Sequence, residues 1–130
     1  MSQYNFHDVM LGILSNFPEG KDQYRYDWED LHNFFYKNRT KYGVLNKLAF
    51  DTDGLTPFSR EIDSGYETLQ VSRLVCSMSP DFNPHCIENG VCRVAFDRFS
   101  QSRFNKKEKD ELKRLSADFI KEFSLEAALQ

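Results

Sequence analysis

Cys76, His85, Cys86 and Cys92 lie in one short stretch, and three thiols with one imidazole are a chemically sufficient set for tetrahedral zinc. The spacing argues against that use. Structural zinc sites pair ligands about two to four residues apart, and no cysteine pair here is closer than Cys86 and Cys92. Cys76 instead sits in an apolar alternation, where a thiol packs as a small hydrophobe. A cysteine nucleophile needs a base within hydrogen-bond reach, and His85, next to Cys86, would face the other way on a strand. His7 and His32 have no motif around them. Asp51, Asp53 and Gly54 resemble the opening of a calcium loop, but the chain runs on into Pro57 with no glutamate at the closing position. The acids read as surface clusters rather than single carboxylates in apolar stretches. No Gly-rich phosphate loop, G-x-S-x-G or H-E-x-x-H is present. The expectation is a non-enzyme with no cofactor and no metal.

Charge is the other chemistry on offer. The net value of −3 conceals blocks: residues 31–50 hold Lys37, Arg39, Lys41 and Lys47 with no acid, and residues 93–107 hold Arg93, Arg98, Arg103, Lys106 and Lys107 against Asp97 alone. These nine bases are the candidate phosphate contacts. Residues 51–67 are acidic apart from Arg60. A helix there would present Arg60, Asp63, Ser64, Glu67 and Gln70 outward, a candidate partner-binding face ill suited to lie against phosphates.

The elements that must position these residues follow from periodicity. Phe6, Val9, Met10, Ile13 and Leu14 have the spacing of a first helix, stopped by the loop 15–21. Asp27 is a natural cap for a second helix, whose Trp28, Leu31, Phe34 and Phe35 form an aromatic stripe. Val44, Leu45, Leu48 and Ala49 predict a further short helix before the turn 51–54. Thr56 as cap and Pro57 at the first helical position start the next, with Phe58, Ile62, Tyr66 and Leu69 on one face. Leu74, Cys76 and Met78 then alternate as a half-buried strand, and residues 80–84 turn the chain back, which predicts a hairpin. Residues 91–99 fit a strand after Asn89-Gly90 and a helix equally well. Asn105 with Glu108 forms a capping box, and Leu112, Leu115, Phe119 and Phe123 line a last helix reaching residue 127.

With 130 residues, 40% hydrophobic and 28% charged, the chain has the size of one domain spanning 1–130 and can bury one sizeable core. No apolar run is long enough for a membrane span, the N-terminus lacks the basic start and apolar stretch of a signal peptide, and three cysteines are no disulfide framework. A cytoplasmic setting is expected. Helix followed by hairpin is the order of a winged-helix domain, so the expected fold is α+β, mostly helical, winged-helix-like, with a β-hairpin and a long C-terminal helix.

The segments LNKLAF and GLTPFSREIDSGYETLQVSRLV resemble the Panacea group of antitoxin-like domains and related small bacterial or phage proteins. In that group a short helix precedes a P-(Y/F)-S-x-E-(L/I) helix that steps through leucines into a strand. The resemblance covers about thirty residues, and Leu55 and Thr56 stand where the group tends to carry a Tyr-Gly pair. It implies a winged-helix-like fold and a protein partner such as a toxin, and it carries over no catalytic residue. Two readings follow: a non-enzymatic regulatory or antitoxin-like module that binds a protein partner, and a winged-helix DNA-binding transcription regulator.

Overall fold

In the computed structural model, residues 4–17, 23–25, 28–71, 75–77, 84–87 and 89–123 are described. Five α-helices occupy most of them: α1 Phe6–Ser15, α2 Trp28–Asn38, α3 Arg60–Val71, α4 Asn89–Ala95 and α5 Lys106–Phe123. Three strands of three or four residues, β1 Gln23–Arg25, β2 Val75–Ser77 and β3 Pro84–Ile87, pair antiparallel in the order β1-β3-β2.

The α1 sequence FHDVMLGILS is apolar on nearly every side, and a helix of that kind must be enclosed. Phe6, Val9, Met10, Leu11, Ile13 and Leu14 are all buried. α3, α4 and α5 each pack on α1. Gly12 permits the closest of these approaches, since a Cβ there would come within 2.6 Å of Leu112 Cδ1 and 3.2 Å of Phe96 Cε1. α2 adds Phe34 and Phe35, which meet Phe119 on α5 edge-on or tilted, with ring centroids 5.4 and 6.5 Å away.

A helix buried this deeply must also satisfy its terminal carbonyls inside the protein. The Gly12 carbonyl accepts from Ser15 Oγ at 2.9 Å and Asn16 Nδ2 at 2.7 Å. Ser116 Oγ on α5 donates to the Ile13 carbonyl at 2.8 Å. Arg93 on α4 donates to the carbonyls of Ser15 and Phe17.

The α+β winged-helix-like domain expected from the sequence is not what forms. The framework is helical and assembled around α1, to which α3 turns its apolar side, and the three strands are confined to three or four residues each. Residues 91–99 are helical: α4 continues into a π-helical segment, Phe96–Ser100, and a 3-10 turn, Gln101–Arg103. That continuation keeps Cys92, Phe96 and Ser100 buried. The helix expected over residues 44–49 shrinks to a 3-10 turn at Gly43–Leu45. Its first N–H is taken by the Glu111 carboxylate of α5 at 2.5 Å.

α3 starts at Arg60, not beside Pro57. Asp51 and Phe58 exchange two backbone hydrogen bonds of 2.7 and 2.9 Å, which holds the intervening residues as a loop, and Ser59 becomes the residue before the helix. Phe58 consequently leaves the expected helical stripe and is 47% exposed, whereas Ile62, Tyr66 and Leu69 are buried as predicted. The Asn105–Glu108 capping box closes with bonds of 2.9 and 2.8 Å, and Leu112, Leu115, Phe119 and Phe123 are all buried. The Asp27 cap, the loop 18–21, the turn 80–83 and residues 124–127, over which the sequence predicts the last helix to run on, lie outside the described residues.

Two outcomes follow from this packing. Gly12→Val should lower the unfolding free energy by about 1–3 kcal/mol through overpacking against Leu112 and Phe96, measurable by urea denaturation. Truncation at Asn105 removes the α5 side of the core, where each apolar side chain contributes about 1.5–3 kcal/mol, and should abolish cooperative melting.

Candidate binding cleft

α1 and α3 cross closely at Gly65, where a Cβ would lie 3.1 Å from the His7 backbone nitrogen and 3.3 Å from Phe6 Cβ. Beside this crossing a cleft of about 540 Å³ opens between the start of α1, the segment 44–48 and one side of α3. Its floor is apolar, formed by Phe6, Val9, Val44, Leu45 and Leu48. Its rim carries His7, Lys47, Arg60, Glu61, Ser64 and Thr68. Lys47 Nζ rests 4.4 Å above the Tyr4 ring. The Tyr4 phenol is pushed up to about 12 by burial first, then by the charges of Glu108 and Glu111 and a hydrogen bond to Glu108, so it stays protonated.

Behind His7 lies Asp8, the one acid of α1, only 1% exposed. Its Oδ1 accepts from Ser100 Oγ at 2.6 Å, and its Oδ2 accepts from the Asn5 N–H and from Arg103 Nη1, both at 2.9 Å. Burial raises its proton affinity, but the donors from Ser100, Asn5 and Arg103 outweigh it, and the carboxyl titrates below the ordinary range. Such a carboxylate is a structural anion, fully engaged and poorly suited to accept a proton in a reaction. Asp8 also corrects the expectation that acids stand only in surface clusters. Its sequence signal was a single aspartate amid FHDVMLGIL.

On the other side of α3, His32 of α2 is 3% exposed and accepts the Ser59 N–H at Nδ1, 3.1 Å away, with the Phe58 ring stacked on it at 5.0 Å. Burial lowers its pKa, against a smaller opposing pull from Asp63. A neutral imidazole is what this hydrogen bond requires.

Helical spacing keeps the five candidate partner-binding residues on one side of α3. Of these, Arg60 and Ser64 line the cleft, Asp63 and Glu67 are exposed outside its lining, and Gln70 is half-buried. The candidate phosphate contacts are also dispersed. Lys37 pairs with Glu122 at 3.0 Å and Lys41 with Asp118 at 2.9 Å. Arg39 caps the Tyr36 carbonyl at 2.6 Å and lies 3.7 Å over the Tyr36 ring. Arg103 holds Asp8, and Arg93 caps the end of α1. Lys47 lines the cleft, while Arg98, Lys106 and Lys107 are exposed.

Sequence reasoning missed Tyr4, His7, Glu61 and Thr68 as cleft residues. For Glu61 and Thr68 a signal existed, because they fall beside Arg60 and Ser64 at helical spacing. Cys92 is buried; the side chains of Cys76, His85 and Cys86 lie outside the described residues. Among the described residues no group of three or more His, Cys, Asp or Glu side chains could hold a metal, and no helix is long and apolar enough to cross a membrane. No protein family, curated protein or solved structure matches this chain.

The two buried groups set separate pH windows. His32 has its pKa lowered on folding, so the unfolded chain binds the extra proton, and stability should decline as pH falls below about 6.5. His32→Asn, which keeps an acceptor for Ser59, should remove that step from a series of chemical melts. Asp8, lowered on folding, contributes stability above about pH 4 that is lost on further acidification. Asp8→Asn should cost about 1–2 kcal/mol near neutral pH by weakening the charge-assisted hydrogen bonds from Ser100, Asn5 and the half-exposed Arg103.

Proposed function

We propose that the protein is a non-enzymatic interaction module, regulatory or antitoxin-like, that binds a protein partner in the cytoplasm. The observation that carries this reading is the employment of the basic side chains. Lys37, Arg39, Lys41, Arg93 and Arg103 hold acids and carbonyls of their own fold, and a duplex would have to compete with those bonds. The outward side of α3 bears Asp63 and Glu67, and apolar groups stand exposed at either end of that helix, Leu55 and Phe58 before it and Val71 at its close. Apolar side chains beside like-signed charge suit a basic, partly apolar protein surface better than a polyanion. The resemblance of residues 45–50 and 54–75 to Panacea-type domains supports the same class of role.

Direct contact with nucleic acid is the second reading, and one surface favours it. Lys106, Lys109 and Lys113 follow each other along α5 at helical spacing and border a groove with Arg93. Asp97 and Asp110 border the same groove and offset part of that charge.

Fluorescence anisotropy with a random-sequence duplex separates the readings. At about 0.15 M salt we expect no binding by the wild type or by Glu67→Lys, whereas micromolar wild-type binding that weakens steeply with salt would replace the interaction-module reading with the nucleic-acid one. In that event Lys109→Glu and Lys113→Glu should remove the binding.

A further inference from the structure

The cleft beside α1 combines features that a mere packing gap between helices does not need. Its volume of about 540 Å³ falls within the range of small-molecule pockets, roughly 300–1,000 Å³. Its floor is built from branched aliphatic and aromatic side chains of two separate segments, α1 and residues 44–48, while its polar groups gather at the rim. Val9, Val44 and Leu45 of that floor are nearly fully buried and Leu48 is partly buried, so the floor is anchored in the core.

The rim charges are unequal in sign. Arg60 and Lys47 stand there against one acid, Glu61, and the Glu61 carboxylate already accepts the Ser59 hydroxyl at 2.9 Å. The phenol of Tyr4 stays neutral, and the Glu108 and Glu111 carboxylates that act on it lie outside the lining of the cleft. Asp8 behind His7 is compensated by Arg103 and Ser100. Arg60 is exposed at the first turn of α3 and offers a planar fork suited to a carboxylate. Ser64, one turn further along the same side, adds a hydroxyl.

From this arrangement we propose that the cleft is a binding site for a small amphipathic anion, an alkyl or aryl-alkyl carboxylate whose apolar body lies on Val9, Val44, Leu45 and Leu48 and whose carboxylate meets Arg60 and Lys47. A cation of the same shape would place its charge beside two positive groups. A fully polar anion would leave the floor covered only by water. Of the α3 side chains, Arg60, Glu61, Ser64 and Thr68 line the cleft and Asp63 and Glu67 do not, so the assignment does not rest on the protein-partner reading.

Isothermal titration calorimetry with decanoate and decylammonium, ions of equal chain length and opposite sign, tests the assignment. Decanoate should bind at one molecule per chain, and decylammonium at least about tenfold more weakly, the factor expected for losing one charge-assisted hydrogen bond. Arg60→Gln, at an exposed position, should weaken decanoate by a similar factor of about ten. Ser64→Trp places an indole in the cleft from the solvent side and should abolish uptake while the thermal melt stays cooperative. The assignment is overturned if decanoate fails to bind, if both ions bind equally, or if Arg60→Gln, folded like the wild type, binds decanoate unchanged. Saturation of a folded Ser64→Trp at wild-type affinity would overturn it as well.

Discussion

Enclosure of α1 is the constraint on which the rest of the structure depends. Ten residues with hydrophobic groups on nearly every side cannot rest on a surface, and the apolar sides of α3, α4 and α5 close around them. Enclosure forces two further conditions. Helix axes must come close, which Gly12 and Gly65 allow by having no side chain where Leu112, Phe96 and the backbone of His7 pass. Polar groups carried inside must also find partners, which accounts for Ser116, Arg93 and Asn16 at one end of α1 and for Ser100 and Arg103 on Asp8 near the other.

These conditions explain where the positive charge goes. Arg93 and Arg103 belong to a block that reads in sequence as a nucleic-acid surface, yet both point inward to a helix end and a buried carboxylate. Lys37 and Lys41 meet acids of α5 that lie far along the chain. Those two exposed pairs add little stability individually. Their consequence is a more nearly neutral surface along α2 and the turn that follows it. A protein with net charge −3 and its bases so distributed presents a short lysine stripe on α5 and an acid-bearing α3, which is why a protein partner is the better-supported reading.

The cleft is a by-product of the same geometry. α1 and α3 touch at Gly65, and the segment 43–48 is drawn toward α5 by Glu111 on the Gly43 N–H and by Tyr42 on Asp118, 2.5 Å each. Between the crossing and that segment, apolar groups of the core remain open to the outside beneath a polar rim. Only the joint placement of three segments produces it, so no single stretch of chain announces it.

What the sequence alone determined is the content that short-range physics carries. The aromatic stripe Leu31, Phe34 and Phe35, the buried side Ile62, Tyr66 and Leu69, and the Asn105–Glu108 box with Leu112, Leu115, Phe119 and Phe123 all rest on interactions three or four residues apart. The winged-helix-like assembly was misread because helix-then-strand order says nothing about which faces meet. Tertiary structure decided the helical state of residues 91–99, where Ser100 reaches Asp8 across the fold. It also decided the start of α3, where Asp51, His32 and the Ser59 N–H override a good local cap at Thr56. The same holds for the cleft and for the partners of Arg93 and Arg103. Each of these depends on groups far apart in the chain, and their meeting follows from how α1 is covered rather than from any local preference.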